Sequence, residues 1–454
     1  MILSSPAIIA MALAGLSLPV WYANDAGRAR KRAILGTLAG ALLALISFAV
    51  PLLLPLSPQR WIPQGALALA PLITALVAVI AVAMAPRTSH DPATLVRMMW
   101  LFALAEGFFA TDEVWLLLLL WGGQALLVWT DLRRQRQGQS WQRVFGLYQL
   151  ASFVCVACGV LFWGGRAVSA VPLLVLLVGM ATRLGIVPLH SWFPRFVEQA
   201  PLGLVVAFSA PQPGLCAHLA SLHQSGLSAL APFVASIVGG CAATTAVLAA
   251  ALGVVQRRSR RALAYLIMSQ TGMIVLGAQS NASVGITGAQ LAWQVLAIAT
   301  SGFTMAMAAL EAQRGPLRLT IPHGNFAQTP RLGIAFLVLG CASVGFPLSM
   351  GFVAEDLLVH EAFSAAPLLG ISLIVATAFN GVTVLRAFFF LFTGERRVTG
   401  APDLSRREAA ALGFAMITVF AFGLLPGPLV AFERAAGGAR PSSPVAARHP
   451  RALR

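Results

Sequence analysis

The sequence predicts an all-α polytopic membrane protein with about 14 transmembrane helices. Three observations carry that expectation. Hydrophobic residues fill 58% of the 454 positions and charged residues only 10%, where a soluble chain carries about a quarter charged. Apolar runs of roughly 20 residues, enough to cross a ~30 Å hydrocarbon core, recur along the chain. The basic residues collect in every second gap between those runs. Alternating ten-residue segments of the β-barrel kind do not occur.

The apolar segments run over 4–23, 33–56, 66–85, 95–111, 114–131, 145–164, 171–190, 202–221, 232–255, 262–279, 288–312, 332–354, 366–393 and 408–432. With the N-terminus outside, the inside loops hold 22 of the 31 basic residues. They run from Arg28, Arg30, Lys31 and Arg32 through Arg257, Arg258, Arg260 and Arg261 to Arg406 and Arg407. The outside loops hold only Arg60 and Arg166. Five arginines follow the last segment, and Arg183 and Arg386 lie within segments. Positive residues favour the cytoplasmic side, so both termini are expected outside.

Residues 1–432 are expected to form one transmembrane domain. Residues 433–454, rich in Pro, Ala and Arg, are expected to be a basic tail without fixed structure. Residues 1–23 lack a basic stretch ahead of the apolar run, so they read as a first span rather than a cleaved leader. The net charge of +16 is thus a topology signal. Spread over seven short loops without a recognition motif, it does not point to nucleic acid.

The five cysteines, Cys155, Cys158, Cys216, Cys241 and Cys341, lie inside apolar runs. The C-x-x-C at 155–158 sits in "ASFVCVACGVLFW" and reads as packing, because redox and zinc sites want polar, accessible surroundings. No phosphate-binding, dinucleotide or zinc-protease motif occurs. No cofactor and no metal are expected, and no catalytic site emerges.

Ionisable groups at membrane depth are costly and mark function by default. Those within or bordering the segments are Glu106, Arg183, His190, His218, Glu355, Asp356, Arg386 and Glu408. Snorkelling near a helix end is the plain alternative. Arg183 resists it, standing just ahead of "GIVPLHSWFPRFVEQAP", where Pro188 and Pro194 should break the helix. A second break is expected in "FSAPQPGLCAH" at Pro211 and Pro213, and a third at Pro347 in "SVGFPLSMGFVAEDLL". Neighbouring interrupted spans point to a transport path. Glu355 and Asp356 point about 100° apart on a helix, so they are not a paired site. In the first break, Trp192 reads as an interfacial anchor, Arg195 and Glu198 as solvated or bound to a neighbour, and His190 as a proton relay or a capped interfacial histidine.

These residues also carry a resemblance. "MATRLGIVPLHSWFPRFVEQAP" (180–201) resembles the signature of the antiporter-like membrane subunits of NADH-quinone oxidoreductase and their Mrp-type relatives. "RRALAYLIMSQTGMIVLG" (260–277), "GFPLSMGFVAEDLL" (345–358), "TDEVWLLLLLWGG" (111–123), "VLRAFFFLFTGERR" (384–397) and "LSRREAAALGF" (404–414) resemble further pieces of that family, in chain order. The resemblance implies a 14-helix core, with a proton-conducting part over about 95–415. It implies a bacterial-type inner membrane and partners that are other membrane subunits of a respiratory-type complex.

In that family proton movement is thought to use a glutamate on the fifth helix and a lysine on the seventh. Further lysines or histidines lie on the eighth, and a lysine or glutamate on the twelfth. Carried over by position, the seventh-helix lysine is Arg183 and the fifth-helix glutamate is Gly122. The histidine near the second break falls at Ser209. An H-x-x-x-H-x-x-x-K pattern falls on Gln294, Ile298 and Gly302. Lys31, in a loop, is the only lysine. Arg does not deprotonate as a buried Lys can, so Arg183 is expected to be a fixed charge that pairs a carboxylate or attracts an anion. The resemblance leaves open a proton-translocating subunit and an inorganic-carbon uptake subunit working with a soluble zinc protein. A stand-alone antiporter and a non-pumping scaffold also remain. The long C-terminal lateral helix of the largest family members is missing, which argues against that type.

Overall fold

The computed structural model describes residues 5–23, 25–53, 67–134, 139–162, 170–221, 231–280, 282–395 and 403–437. Arg60, Arg136, Arg166, Arg396, Arg397 and residues 438–454 lie outside them. The first ten helices are α1 (Ser5–Trp21), α2 (Ala26–Leu53), α3 (Ala70–Met84), α4 (Pro92–Phe109), α5 (Val114–Arg134), α6 (Gln139–Leu161), α7 (Ala170–Leu184), α8 (Trp192–Gln199), α9 (Leu202–Ser209) and α10 (Gln212–Ser221). There follow α11 (Ala231–Val255), α12 (Ser259–Ala278) and α13 (Ser283–Val295), which runs through a π-helical turn, Leu296–Thr300, into α14 (Ser301–Arg314). The last are α15 (Pro330–Ser343), α16 (Met350–Ala365), α17 (Pro367–Phe392), α18 (Arg406–Leu424) and α19 (Pro426–Gly437).

Among the described residues, ten continuous apolar stretches are long enough to cross a bilayer, and four shorter apolar helices accompany them. Together they match the expected segments one for one. Three spans are built from two helices each: the seventh from α7 and α8, the eighth from α9 and α10, the twelfth from α15 and α16. The twelfth runs further than the sequence indicated, to Ala365 rather than 354. Ser349 accepts the Phe352 amide and starts a new helix after the break, which carries Glu355 and Asp356 on to that end.

The surface is that of a chain dissolved in lipid. On α17, Leu368, Ile371, Ile374, Phe379, Val382, Leu385 and Phe389 are exposed, an apolar stripe at helical spacing that water would penalise. Polar side chains go inward instead: Gln124, Gln149, Gln212, Gln270, Gln294 and Asn380 are all buried.

The loops that the basic residues placed on one side do meet. Arg134 pairs Asp91 across 2.7 Å, and Arg97 pairs Asp131 across 2.7 Å. Glu198 pairs Arg258 and Arg261, and Arg260 pairs Glu311. Asp403 receives the first amides of α15, from Arg331 and Leu332. Four unsatisfied amides open every helix, so this remote carboxylate acts as the cap. One face of the bundle is therefore laced by ion pairs.

Candidate functional site

The site begins where α7 stops. Gly185 adopts φ +69°, a left-handed conformation that favours glycine. The Gly185 amide donates to the Thr182 carbonyl and the Ile186 amide to the Ala181 carbonyl, which closes the helix end in a Schellman turn. Arg183 sits in that last turn, where the partial negative charge of a helix C-terminus favours a cation.

The Arg183 side chain is 1% exposed. Its Nε donates to Gln212 Oε1 at 2.9 Å. One terminal nitrogen donates to Gln149 Oε1 at 3.0 Å and to the Trp121 carbonyl at 3.4 Å, and the other to Gln124 Oε1 at 3.1 Å. The guanidinium lies between the rings of Trp121 and Phe208, 4.8 and 4.5 Å from their centroids. Among the described residues no ion pair involves Arg183. The expected carboxylate partner is thus replaced by three neutral amides and two π faces. Carboxamide oxygens accept from a guanidinium without cancelling its charge, and aromatic faces attract it further.

The eighth span is broken beside this cage, at Ala210 and Pro211. Proline frees carbonyls in the turn before it. Gln212 Nε2 donates to one of them, Phe208 O, at 2.8 Å, and to Gln124 Oε1 at 2.9 Å. Trp293 Nε1 donates to another, Ala210 O, at 2.9 Å. One glutamine therefore repairs the break and holds the guanidinium.

Further along the eleventh span, beyond the buried apolar stretch Val295–Ala299, a second polar cluster stands at the end of the π turn. Thr300 Oγ1 donates to Gln270 Oε1 at 2.9 Å, and Gln270 Nε2 donates to the Ser343 carbonyl at 2.7 Å. Ser343 ends α15, and the break at 344–349 follows. Glu355 reaches this break from α16: a Cβ on Gly345 would overlap its carboxylate. Glu355 is half-buried, whereas Asp356 is exposed.

Several expected site residues stand elsewhere. Glu106 is fully buried in α4, with neither carboxylate oxygen partnered among the described residues. His190 is half-buried in the turn after α7, its Nδ1 likewise without a described partner. Arg386 caps backbone instead: it donates to the Gln256 and Leu319 carbonyls at 2.7 and 2.9 Å, in the laced face. Glu408 belongs to a capping box with Ser405 at the start of α18. Pro188 lies in the interruption itself, but Pro194 is third in α8, where its missing N–H costs little. Pro213 sits in the first turn of α10 in the same way, so Pro211 makes that break. Pro347 lies in the third break.

Trp192 is no interfacial anchor. It is 1% exposed, donates from Nε1 to the Thr182 carbonyl at 2.9 Å, and stands among Phe145, Phe196 and Phe208. The Thr182 carbonyl at the end of α7 thus accepts from both this indole and the Gly185 amide. Glu198 is bound rather than solvated, by Arg258 and Arg261, while Arg195 is exposed. The sequence reading missed Gln124, Gln149 and Gln212. Asking which acceptors serve the five donors of a buried Arg would have pointed to the few glutamines in apolar spans.

A helical membrane bundle whose spans break at depth around a buried charge has the build of a transporter core. The chain belongs to the NADH:quinone oxidoreductase/Mrp antiporter transmembrane family, whose model matches residues 139–380, more than half of its length. Subunit N of NADH-quinone oxidoreductase from Acidithiobacillus ferrooxidans is 25% identical over 278 residues, covering 59% of this chain and 56% of that one. F(420)H(2) dehydrogenase subunit M from Methanosarcina mazei is 23% identical over 265 residues, covering 57% and 52%. The match thus spans about half the length of these curated relatives. A chain of respiratory complex I from Thermus thermophilus superposes with a TM-score of 0.79 at 19% identity, covering 95% of this chain and 99% of that one. A chain of the Mrp complex from a Dietzia species gives 0.77 at 17% identity, covering 95% and 97%. At such identities the likeness is one of fold.

Proposed function

We propose that this chain is a membrane-embedded, proton-translocating subunit of a multi-subunit complex of the NADH-quinone oxidoreductase type. The observation that supports this best is the buried Arg183 cage at two broken spans, with a second polar cluster, Thr300 and Gln270, at the twelfth-span break that Glu355 reaches. Arg183 keeps its proton, so it acts as a fixed positive charge. Protons pass it by water held among amides and acids, the half-buried Glu355 and the buried Glu106 first among them. The arginine-laced face is the cytoplasmic one, as the charge rule expects. Redox chemistry belongs to partner subunits.

The test is proton uptake by vesicles holding the purified complex. Arg183→Gln and Glu355→Gln should each abolish most of it while the complex still assembles. Unchanged uptake in both variants overturns the reading. Purification in mild detergent identifies the partners. Redox subunits support the respiratory assignment, and a soluble zinc protein in their place assigns the chain to carbon uptake instead.

A further inference from the structure

Helix α19 runs from Pro426 to Gly437, out of the expected fourteenth segment into the first residues of the expected tail, and carries Glu433. The chain is interrupted at Leu425, and α19 packs against α13. Phe432 meets Phe48 of α2 edge-on, with centroids 5.6 Å apart. Glu433 is 1% exposed. Gln294 Nε2 donates to its Oε1 at 2.5 Å, and Oε2 is buried without a described partner. Gln294 lies eleven residues into its span, which at 1.5 Å per residue is about 16 Å of helix. This carboxylate therefore lies at membrane depth, although no transmembrane segment contains it.

Its position places it near the Arg183 cage. Gln294 follows Trp293 on the same helix, and the Trp293 indole donates to the Ala210 carbonyl in the break that also holds Gln212. Among the described residues of its neighbours α2, α13 and α18, no other acid lies close to it. Helix α13 has no titratable residue, and the charged residues of α2 (Arg28, Arg30, Lys31, Arg32) and of α18 (Arg406, Arg407, Glu408) stand at the far ends of those helices. Arg434, beside it on α19, is exposed. A carboxyl with one neutral donor and one open oxygen can hold a proton and release it to water. A structural acid would be paired or fully hydrogen-bonded.

Resting on the proton-translocating reading above, we propose that Glu433 is a proton-carrying acid of the path, supplied by helix α19. The carboxyl takes a proton from water on one side and returns it to water on the other, with Gln294 holding it in place.

Three variants of the native complex, reconstituted in vesicles, test this beside Arg183→Gln. Glu433→Gln keeps the shape and the contact to Gln294, and uptake should fall about 100-fold, as for loss of a positioned proton carrier. Glu433→Asp should restore part of it. Gln294→Leu leaves the acid but removes the donor that favours its ionised form, so the uptake profile should move to higher pH. Normal uptake in Glu433→Gln overturns the proposal, and so does an unmoved profile in Gln294→Leu. If Arg183→Gln lowers uptake and Glu433→Gln does not, the Glu433 assignment alone falls. If neither lowers it, the functional reading falls as well. Should Glu433→Gln fail to assemble, the Gln294→Leu profile decides.

Discussion

Arg183 and Gln212 join the seventh and eighth spans at their broken ends, Nε to Oε1 across 2.9 Å. The same glutamine holds the Phe208 carbonyl. Gln212→Leu removes both contacts and leaves a buried donor and a buried acceptor unserved. Each costs about 1–3 kcal/mol. A lowered melting temperature of the detergent-purified protein is expected, and melting at the wild-type temperature would contradict it.

Arg183→Lys restores the residue type that the family resemblance carries to this position. An ammonium has three donors and no planar face, so the bonds to three glutamines and the stacking between Trp121 and Phe208 cannot all survive. Some stability should be lost. In exchange the group can release its proton. Proton uptake in vesicles should gain a pH-dependent step that Arg183 cannot supply, and an unchanged profile would count against the fixed-charge role.

Glu355 and Asp356 are neighbours with different fates. Glu355→Gln should lower uptake at least about tenfold, as expected for a group that handles protons. Asp356→Asn, at an exposed position, should leave uptake unchanged. Equal effects of the two substitutions would detach the twelfth-span break from the path.

His90 lies in the loop before α4 and is buried. Its Nε2 accepts the Gly203 amide at 3.1 Å, so the ring proton sits on Nδ1, 2.9 Å from Ser89 Oγ. Burial pushes its pKa down from 6.5 to about 3. Arg30 and Arg260 push the same way, while the Pro86 carbonyl opposes them. Because the folded pKa is depressed, the unfolded chain binds the extra proton first. Stability is full above pH 6.5 and is lost as pH falls towards about 3. The loss is on the order of a few kcal/mol. Melting temperatures across that range should fall less steeply in His90→Gln than in the wild type.

Most of the fold was legible because bilayer-crossing runs and loop arginines are coarse signals that add up over many residues. Arg183 was legible for the same reason, as a charge where none is cheap. Its partners were not, because a glutamine in an apolar run carries no formal charge and its function depends on three-dimensional neighbours. Trp192 was misplaced because a tryptophan beside prolines resembles a boundary residue, while its actual partner is a carbonyl in the Schellman turn that ends α7. Glu433 was hidden by the composition around it. The capping role of Glu408 was readable as Ser405-x-x-Glu, a pattern that fixes a helix start.

The neutral cage around Arg183 has an electrical consequence. A guanidinium without a counter-ion at membrane depth is a bare charge inside the transmembrane field, which is worth about 2.3 kcal/mol per elementary charge and 100 mV for a full crossing. Any shift of the seventh span along the membrane normal therefore moves charge across part of that field.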